Sequence, residues 1–313
     1  MRSLSYYRGF GLTVASELPL GGFDTDEGLP GSPDVFVRHQ SGPFPFLTDA
    51  SDQFSFKAND DACFRIREGR EIEVWLGQDA DLTLATDLLL GTAFAVLLFQ
   101  RGQWPVHVSA IRVDGGVWLF SGKSGEGKST LAAWMNAAFG WTILSDDAGV
   151  LCIDDGQVWF APGARNLKLL PDALDALPAY RALADDSGKG DSEGKVHFRL
   201  SRLPASGRLP VRGFVDLAST AGEPATVAVL QGAGALQAVR SALYRPWFGR
   251  NLCTPAATLK FCADVSQLMP IYCFARPRDY RRVLESNGAL AAVIGRHAAA
   301  HVGPEPQGVC LPA

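Results

Sequence analysis

The residues best suited to chemistry lie in VWLFSGKSGEGKSTLAAW, residues 117–134. Within this stretch Gly122-Lys123-Ser124-Gly125-Glu126-Gly127-Lys128-Ser129 satisfies the pattern G-x-x-x-x-G-K-[ST] in full. Glycines let a backbone wrap a phosphate chain with its N–H groups inward, and a helix from Ser129 through Thr130 adds its positive end. In such a loop Lys128 sits on the β- and γ-phosphates of a nucleotide, and the Ser129 hydroxyl ligates Mg²⁺. Eighteen residues after Lys128, WTILSDDAGVL sets Asp146 and Asp147 at the end of an apolar strand. One carboxylate there can stay near the metal while the other accepts a proton from an attacking hydroxyl. Asp-Asp-Ala-Gly is also good turn chemistry, so the pair has a purely structural reading as well.

The pattern around these residues alternates strands with helices. Strands are predicted near Val106–Val113, Gly116–Ser121, Thr142–Leu144, Val150–Ile153 and Val158–Ala161, with helices near Ser129–Ala138 and Pro171–Ala182. DDSGKGDSEGK, residues 185–195, reads as a polar, glycine-rich loop able to act as a lid, with Lys195 and His197 at its end. A salt-bridged strand fits Lys195 and His197 equally well. Strands then recur near Gly213–Ala218, Thr226–Leu230 and Ile271–Phe274, and helices near Ala233–Leu243, Ala256–Leu268 and Arg278–Ile294. Upstream, short alternating segments at Gly11–Val14, Val35–Arg38, Phe54–Lys57 and Ile72–Leu76 are separated by Gly/Pro/Asp clusters. They predict a small β-rich N-terminal domain over residues 1–85, followed by an α/β nucleotide-binding domain over residues 86–313. A helix is expected from an N-cap at Thr86 to Arg101, stopped by Gly102.

Composition narrows the partners. The chain has 313 residues, 47% of them hydrophobic and 20% charged, which suits a globular protein with a sizeable core. A net charge of −4 and the lack of a long basic run argue against a nucleic-acid partner. Leu88–Phe99, the most lipid-like segment, has 12 residues interrupted by Gly91 and Thr92, which reads as a buried helix rather than a membrane span. No secretory leader is recognisable in MRSLSYYRGFGLTVASELPL. Six cysteines without a CxxC pair suit reduced thiols and a cytoplasmic location. Trp118, Trp134, Trp141 and Trp159 read as core residues rather than a base-stacking platform. Arg165 and Lys168 in PGARNLKL can neutralise phosphate or a substrate carboxylate, or serve as solvated residues at a helix start. The sequence is silent on assembly, a homo-oligomer included.

The stretch from His107 to Leu151, HVSAIRVDGGVWLFSGKSGEGKSTLAAWMNAAFGWTILSDDAGVL, resembles the core of the HPr kinase/phosphorylase superfamily. There a histidine begins a strand, a second strand leads to the glycine loop, and Ala/Ser-Asp-Asp closes the unit. The resemblance implies a P-loop kinase domain of the HPr-kinase type. It also implies ATP- or GTP- and Mg²⁺-dependent transfer of the γ-phosphoryl group to a serine hydroxyl on a peptide or small protein. By position, Asp146 matches the catalytic base, Asp147 its neighbour near the metal, and His107 a histidine close to the transferred phosphate. Read alone, His107 is equally a residue capping a strand. Arg250 in WFGRN is similar to a Gly-Arg-Asn element of the HPr enzymes. YRGFGLTVASELPL and the helix before His107 are similar to the HPr-kinase-like enzymes of lasso-peptide gene clusters, which phosphorylate the C-terminal serine of a peptide precursor. FAPGARNLKLLPDALDAL lacks the glutamate of the L-E-I-R-G signature of the bifunctional enzymes, which implies no phosphorylase activity. The resemblance is most specific over residues 86–172 and fades after Leu200. A kinase of a small-molecule hydroxyl and a nucleotide-hydrolysing switch or assembly protein share the glycine loop and stay open as alternatives.

Overall fold

The computed structural model describes residues 3–26, 31–44, 52–58, 61–187, 194–200, 207–221, 224–249, 252–277 and 280–301. Period-2 alternation builds the first seven strands: β1 (Ser5–Gly9), β2 (Leu12–Ser16), β3 (Asp24–Thr25), β4 (Val35–Gln40), β5 (Gln53–Ala58), β6 (Ala62–Arg67) and β7 (Glu71–Leu76). They form one sheet in the order β3-β1-β2-β4-β7-β6-β5. Its inward residues, among them Val14, Val35, Phe64 and Ile72, pack against the helical run Leu82–Gln100.

That run is longer than the sequence suggested. Asp81, not Thr86, caps it by accepting from the N–H groups of Thr83 and Leu84, while the Thr86 hydroxyl donates to Leu82 O within the helix. The run comprises α1 (Leu82–Leu88), a π turn over Leu89–Ala93, and α2 (Phe94–Gln100). Gly102, at φ +67°, follows it as expected. By length and mean hydropathy of 2.0 the run is apolar enough to cross a membrane, yet 67% of the relevant window is buried inside the protein. Gly91 lies in this π turn with the Tyr244 hydroxyl against it, and a Cβ there would come within 2.9 Å of that oxygen.

The remaining strands and helices alternate: β8 (Trp104–Val106), β9 (Ser109–Val113), β10 (Gly116–Gly122), α3 (Lys128–Phe139), β11 (Thr142–Ser145), β12 (Gly149–Asp154) and β13 (Gln157–Pro162). After these come β14 (Asn166–Leu169), α4 (Pro171–Asp175), α5 (Pro178–Ser187), β15 (Val196–Arg199), β16 (Leu209–Thr220) and β17 (Thr226–Leu230). The chain continues through α6 (Gly232–Ser241), α7 (Pro246–Gly249), α8 (Pro255–Leu268), β18 (Ile271–Pro277) and α9 (Tyr280–His301). Nine strands make a second sheet with the path β11-β9-β10-β16-β13-β12-β8, extended by β18 on β16 and β17 on β18. Strand β16 is its spine, pairing with β10, β13 and β18. One face packs on α6 and α8, and the other on α3 and α9. Helices on both faces explain why β10 is an unbroken buried run rather than an alternating one. The protein is thus a mixed α/β fold with a β-rich N-terminal region.

Four sequence expectations change. The strand foreseen across Val106–Val113 breaks at His107 and Val108, where the chain leaves β12 as partner and joins β10. The helix foreseen over Pro171–Ala182 splits, because Pro178 opens a new helix. Asn166–Leu169 is a strand paired with Val196–Arg199, so Lys168 starts no helix, and Arg165 lies just before the strand. Of the four tryptophans Trp118 is fully buried, Trp134 and Trp141 pack half-buried against the same core beside the exposed Phe139, and Trp159 departs from the expectation by lying outside the core beneath Arg208.

Candidate active site

The glycine loop joins β10 to α3. Gly127 is the N-cap of α3 at φ +78°, in the left-handed region that glycine adopts without strain, and no side chain caps the helix. The first N–H groups of α3 are therefore left for an outside acceptor, the condition under which a helix start binds an anion. Gly122 must also lack a side chain, since a Cβ would come within 2.9 Å of Leu217 O on the neighbouring strand. Lys128 is only 8% exposed, and its ammonium donates to Gly122 O at 3.0 Å. Burial lowers its pKa, opposed by the charges of Asp146 and Asp147. Lys123, Ser124 and Gly125 form the exposed outer turn of the loop, and the Glu126 carboxylate accepts a hydrogen bond from Ser219 on β16. Thr130 lies buried in the first turn of α3.

Strand β11 delivers the acidic pair to the same place. Asp146 is 7% exposed, and its Oδ1 accepts from the hydroxyls of Ser109 and, at 2.9 Å, Ser129. Its Oδ2 accepts from the Lys168 backbone N–H at 3.3 Å. Burial pushes the Asp146 pKa up, with the neighbouring Asp147 charge acting in the same direction and the hydroxyl of Ser109 against it. Asp147 turns the other way. Its backbone has φ +88°, its side chain is 52% exposed, and Oδ1 lies 3.7 Å from His107 Nδ1. His107 sits where the chain changes strand partner, with its N–H on Ala242 O at 2.7 Å and its ring 5.7 Å from that of Tyr244. Burial and the Lys128 charge lower its pKa, which favours the neutral imidazole.

The outlying cations go to different places. Arg165 is 2% exposed; its guanidinium donates to Leu144 O and lies 3.9 Å from Asp24, tying β11 to the N-terminal sheet. Lys168 pairs with Asp87 of α1 at 2.8 Å. Lys195 is near enough for its charge to act on both His107 and Lys128. Arg250, and residues 188–193 of the expected lid, lie outside the described residues, while residues 185–187 belong to α5.

Sequence reasoning missed Ser109, Asp216, Tyr244 and Arg245. Ser109 and Asp216 follow from strand pairing alone: Ser109 lies opposite Phe120 on β9, and Asp216 opposite Ser121 on β16. Burial raises the pKa of Asp216, with Glu126 adding to the effect and Lys128 opposing it. Arg245 adopts a left-handed backbone (φ +48°) and places its guanidinium over both Tyr244 and the exposed Trp247. Its charge depresses the pKa of His107, so it belongs to the rim of the same site.

No protein-family model matches the chain, and no curated protein matches it. Among solved structures the chain is similar to "Structure of the Hpr(Ser) kinase/phosphatase from Coxiella burnetii", at 10% sequence identity and a TM-score of 0.31, covering 61% of this chain and 97% of that one. A likeness that slight says nothing of what this chain acts on.

The oxygen donors suit a hard divalent cation. Ser129 Oγ and Asp146 Oδ1 are 2.9 Å apart, a hydroxyl and a carboxylate beside the loop. Among the described residues no group of three or more His, Cys, Asp or Glu could hold a metal by itself. Magnesium commonly takes only one or two protein carboxylates and draws its other ligands from phosphate and water.

Proposed function

We propose that the protein is an ATP- or GTP- and Mg²⁺-dependent kinase that transfers the γ-phosphoryl group to a serine hydroxyl of a peptide or small protein. The observation that carries this reading is the Ser129–Asp146 hydrogen bond across the glycine loop, with the half-exposed Asp147 and the partly buried His107 beside it. Loop amides and Lys128 would hold the phosphate chain and meet the charge that develops on the transferring group. Ser129 and Asp146 would hold the metal, which would supply positive charge to offset that of the phosphates.

The proton acceptor is one of the two aspartates. The resemblance gives that role to Asp146 and the metal to Asp147. Geometry favours the opposite division, because Asp146 is enclosed by three hydrogen-bond donors, whereas Asp147 is half exposed beside a neutral imidazole. The acceptor hydroxyl would approach between His107, Asp147 and the rim formed by Tyr244, Arg245 and Trp247. A peptide end ending in serine fits an approach open to solvent, and the C-terminal serine of a lasso-peptide precursor is the specific acceptor we favour. No nucleic acid or membrane takes part in this reading.

The test is incubation with γ-labelled ATP, Mg²⁺ and short peptides ending in serine. Transfer of label, abolished when that serine is alanine, is the expected result. Faster labelling of sugars or amino alcohols would make the protein a small-molecule kinase, and phosphate release with no labelled acceptor would make it a hydrolysing switch.

A further inference from the structure

We propose that Arg276, at the end of β18, is the positioning residue that presets the glycine loop for a phosphate chain. The proposal rests on the nucleotide-binding reading above. Arg276 is 5% exposed, and its Nη2 donates to Glu126 O at 3.1 Å and Gly127 O at 3.3 Å. Its Nη1 donates to Asn287 Oδ1 at 2.6 Å, on α9, and the guanidinium lies 5.3 Å from the Phe274 ring centroid. A buried cation 150 residues from the loop in sequence thus binds two consecutive loop carbonyls.

The consequence follows from peptide geometry. In a planar trans peptide the C=O and N–H of one unit point in opposite directions. Drawing Glu126 O toward Arg276 turns the Gly127 N–H away from it; Gly127 O, which also accepts from Leu131 N–H at 2.9 Å, is held the same way and turns the Lys128 N–H away. Those two N–H groups belong to the start of α3, where no side chain caps the helix. A phosphate would lie on the side to which they turn, away from Arg276.

Gly127 leaves room for the device, since a Cβ there would come within 3.0 Å of Arg276 Nη2. An arginine is needed because its rigid fork reaches both carbonyls and Asn287 at once, which a lysine ammonium cannot do. With the planes held in advance, phosphate binding is spared the cost of ordering them.

The experiment compares wild type, Arg276→Lys and Asn287→Ser by calorimetric titration with two probes, MgATP and inorganic tripolyphosphate, alongside melting curves. The expected result is that Arg276→Lys weakens both probes by the same factor, about tenfold. Asn287→Ser, which loosens only the anchor of the guanidinium, should weaken both by a smaller common factor and serves alone if Arg276→Lys does not fold. Variants that melt lower yet bind both probes as wild type does would reduce Arg276 to a brace and overturn the proposal. Loss confined to MgATP would place Arg276 at the nucleoside and overturn it as well. Failure of the wild type to bind either probe would instead sink the nucleotide-binding reading, and the proposal with it.

Discussion

Burial makes the ionised form of Asp146 costly, while the hydroxyls of Ser109 and Ser129 hold it in place. Its folded pKa lies above the unfolded value, so between the two the native state binds more protons and stability falls as pH rises. Above the folded pKa the penalty is complete. Asp146→Asn keeps the shape, and the two serine hydroxyls can rotate to accept from its amide. The variant is therefore expected to melt higher than wild type at neutral pH, by about 2–4 °C for each kcal/mol relieved, with the gain vanishing as pH falls toward the unfolded carboxylate pKa. A melting series against pH measures this, and a gain that persists in acid would show the cause is not ionisation. Kinetically, Asp147→Asn should cost about 10²–10⁴ in kcat with nucleotide affinity unchanged if it takes the proton, and Asp146→Asn should act through the Mg²⁺ requirement. The reverse pattern would restore the base to Asp146. Lys128→Ala is expected to lower kcat by about 10²-fold or more and weaken nucleotide binding, since it removes a fixed charge from the phosphates. Near wild-type turnover would defeat the glycine-loop assignment.

At the scale of elements, the π turn couples the N-terminal helix to the active site. Gly→Ala inside a helix ordinarily stabilises by about 1 kcal/mol, but Gly91→Ala would drive a methyl group into the Tyr244 hydroxyl. Tyr244 packs on His107, so the variant should lose kcat, and adding Tyr244→Phe should recover part of it by vacating the space. Steady-state kinetics on the two variants decide the matter, and an unchanged kcat in Gly91→Ala would disconnect the turn from the site. Elements also show what a single chain conceals. The glycine loop and the strand before Asp146 were legible because their chemistry is local: consecutive glycines, then an apolar run closed by two carboxylates. Strand β14 was not, because its alternation spans only the four residues Asn166–Leu169 and its partner β15 comes 27 residues after it (from Leu169 to Val196). The helix start at Asp81 was missed for a related reason, since Leu82–Asp87 is polar and apolar by turns and shows its cap only in hydrogen bonds.

Across the whole molecule, the mixed α/β character and the β-rich N-terminal region were readable from the change in hydrophobic period near residue 100. The crossing of β16 through three partners was not, because no pattern in a strand says which others it will join. That crossing has a consequence for biosynthesis. Strand β10 emerges with β9 as its early neighbour among the described residues, and its other edge waits about ninety residues for β16 (from Gly122 to Leu209). Its sequence, GVWLFSG, contains no charge to discourage mispairing. A nascent chain that pauses or ends near residue 208 would carry an open apolar edge, and such shortened chains are expected to scatter light as aggregates where the full-length protein does not. Translation speed between residues 122 and 209 thus bears on yield, and folding helpers that shield strand edges would act during that interval.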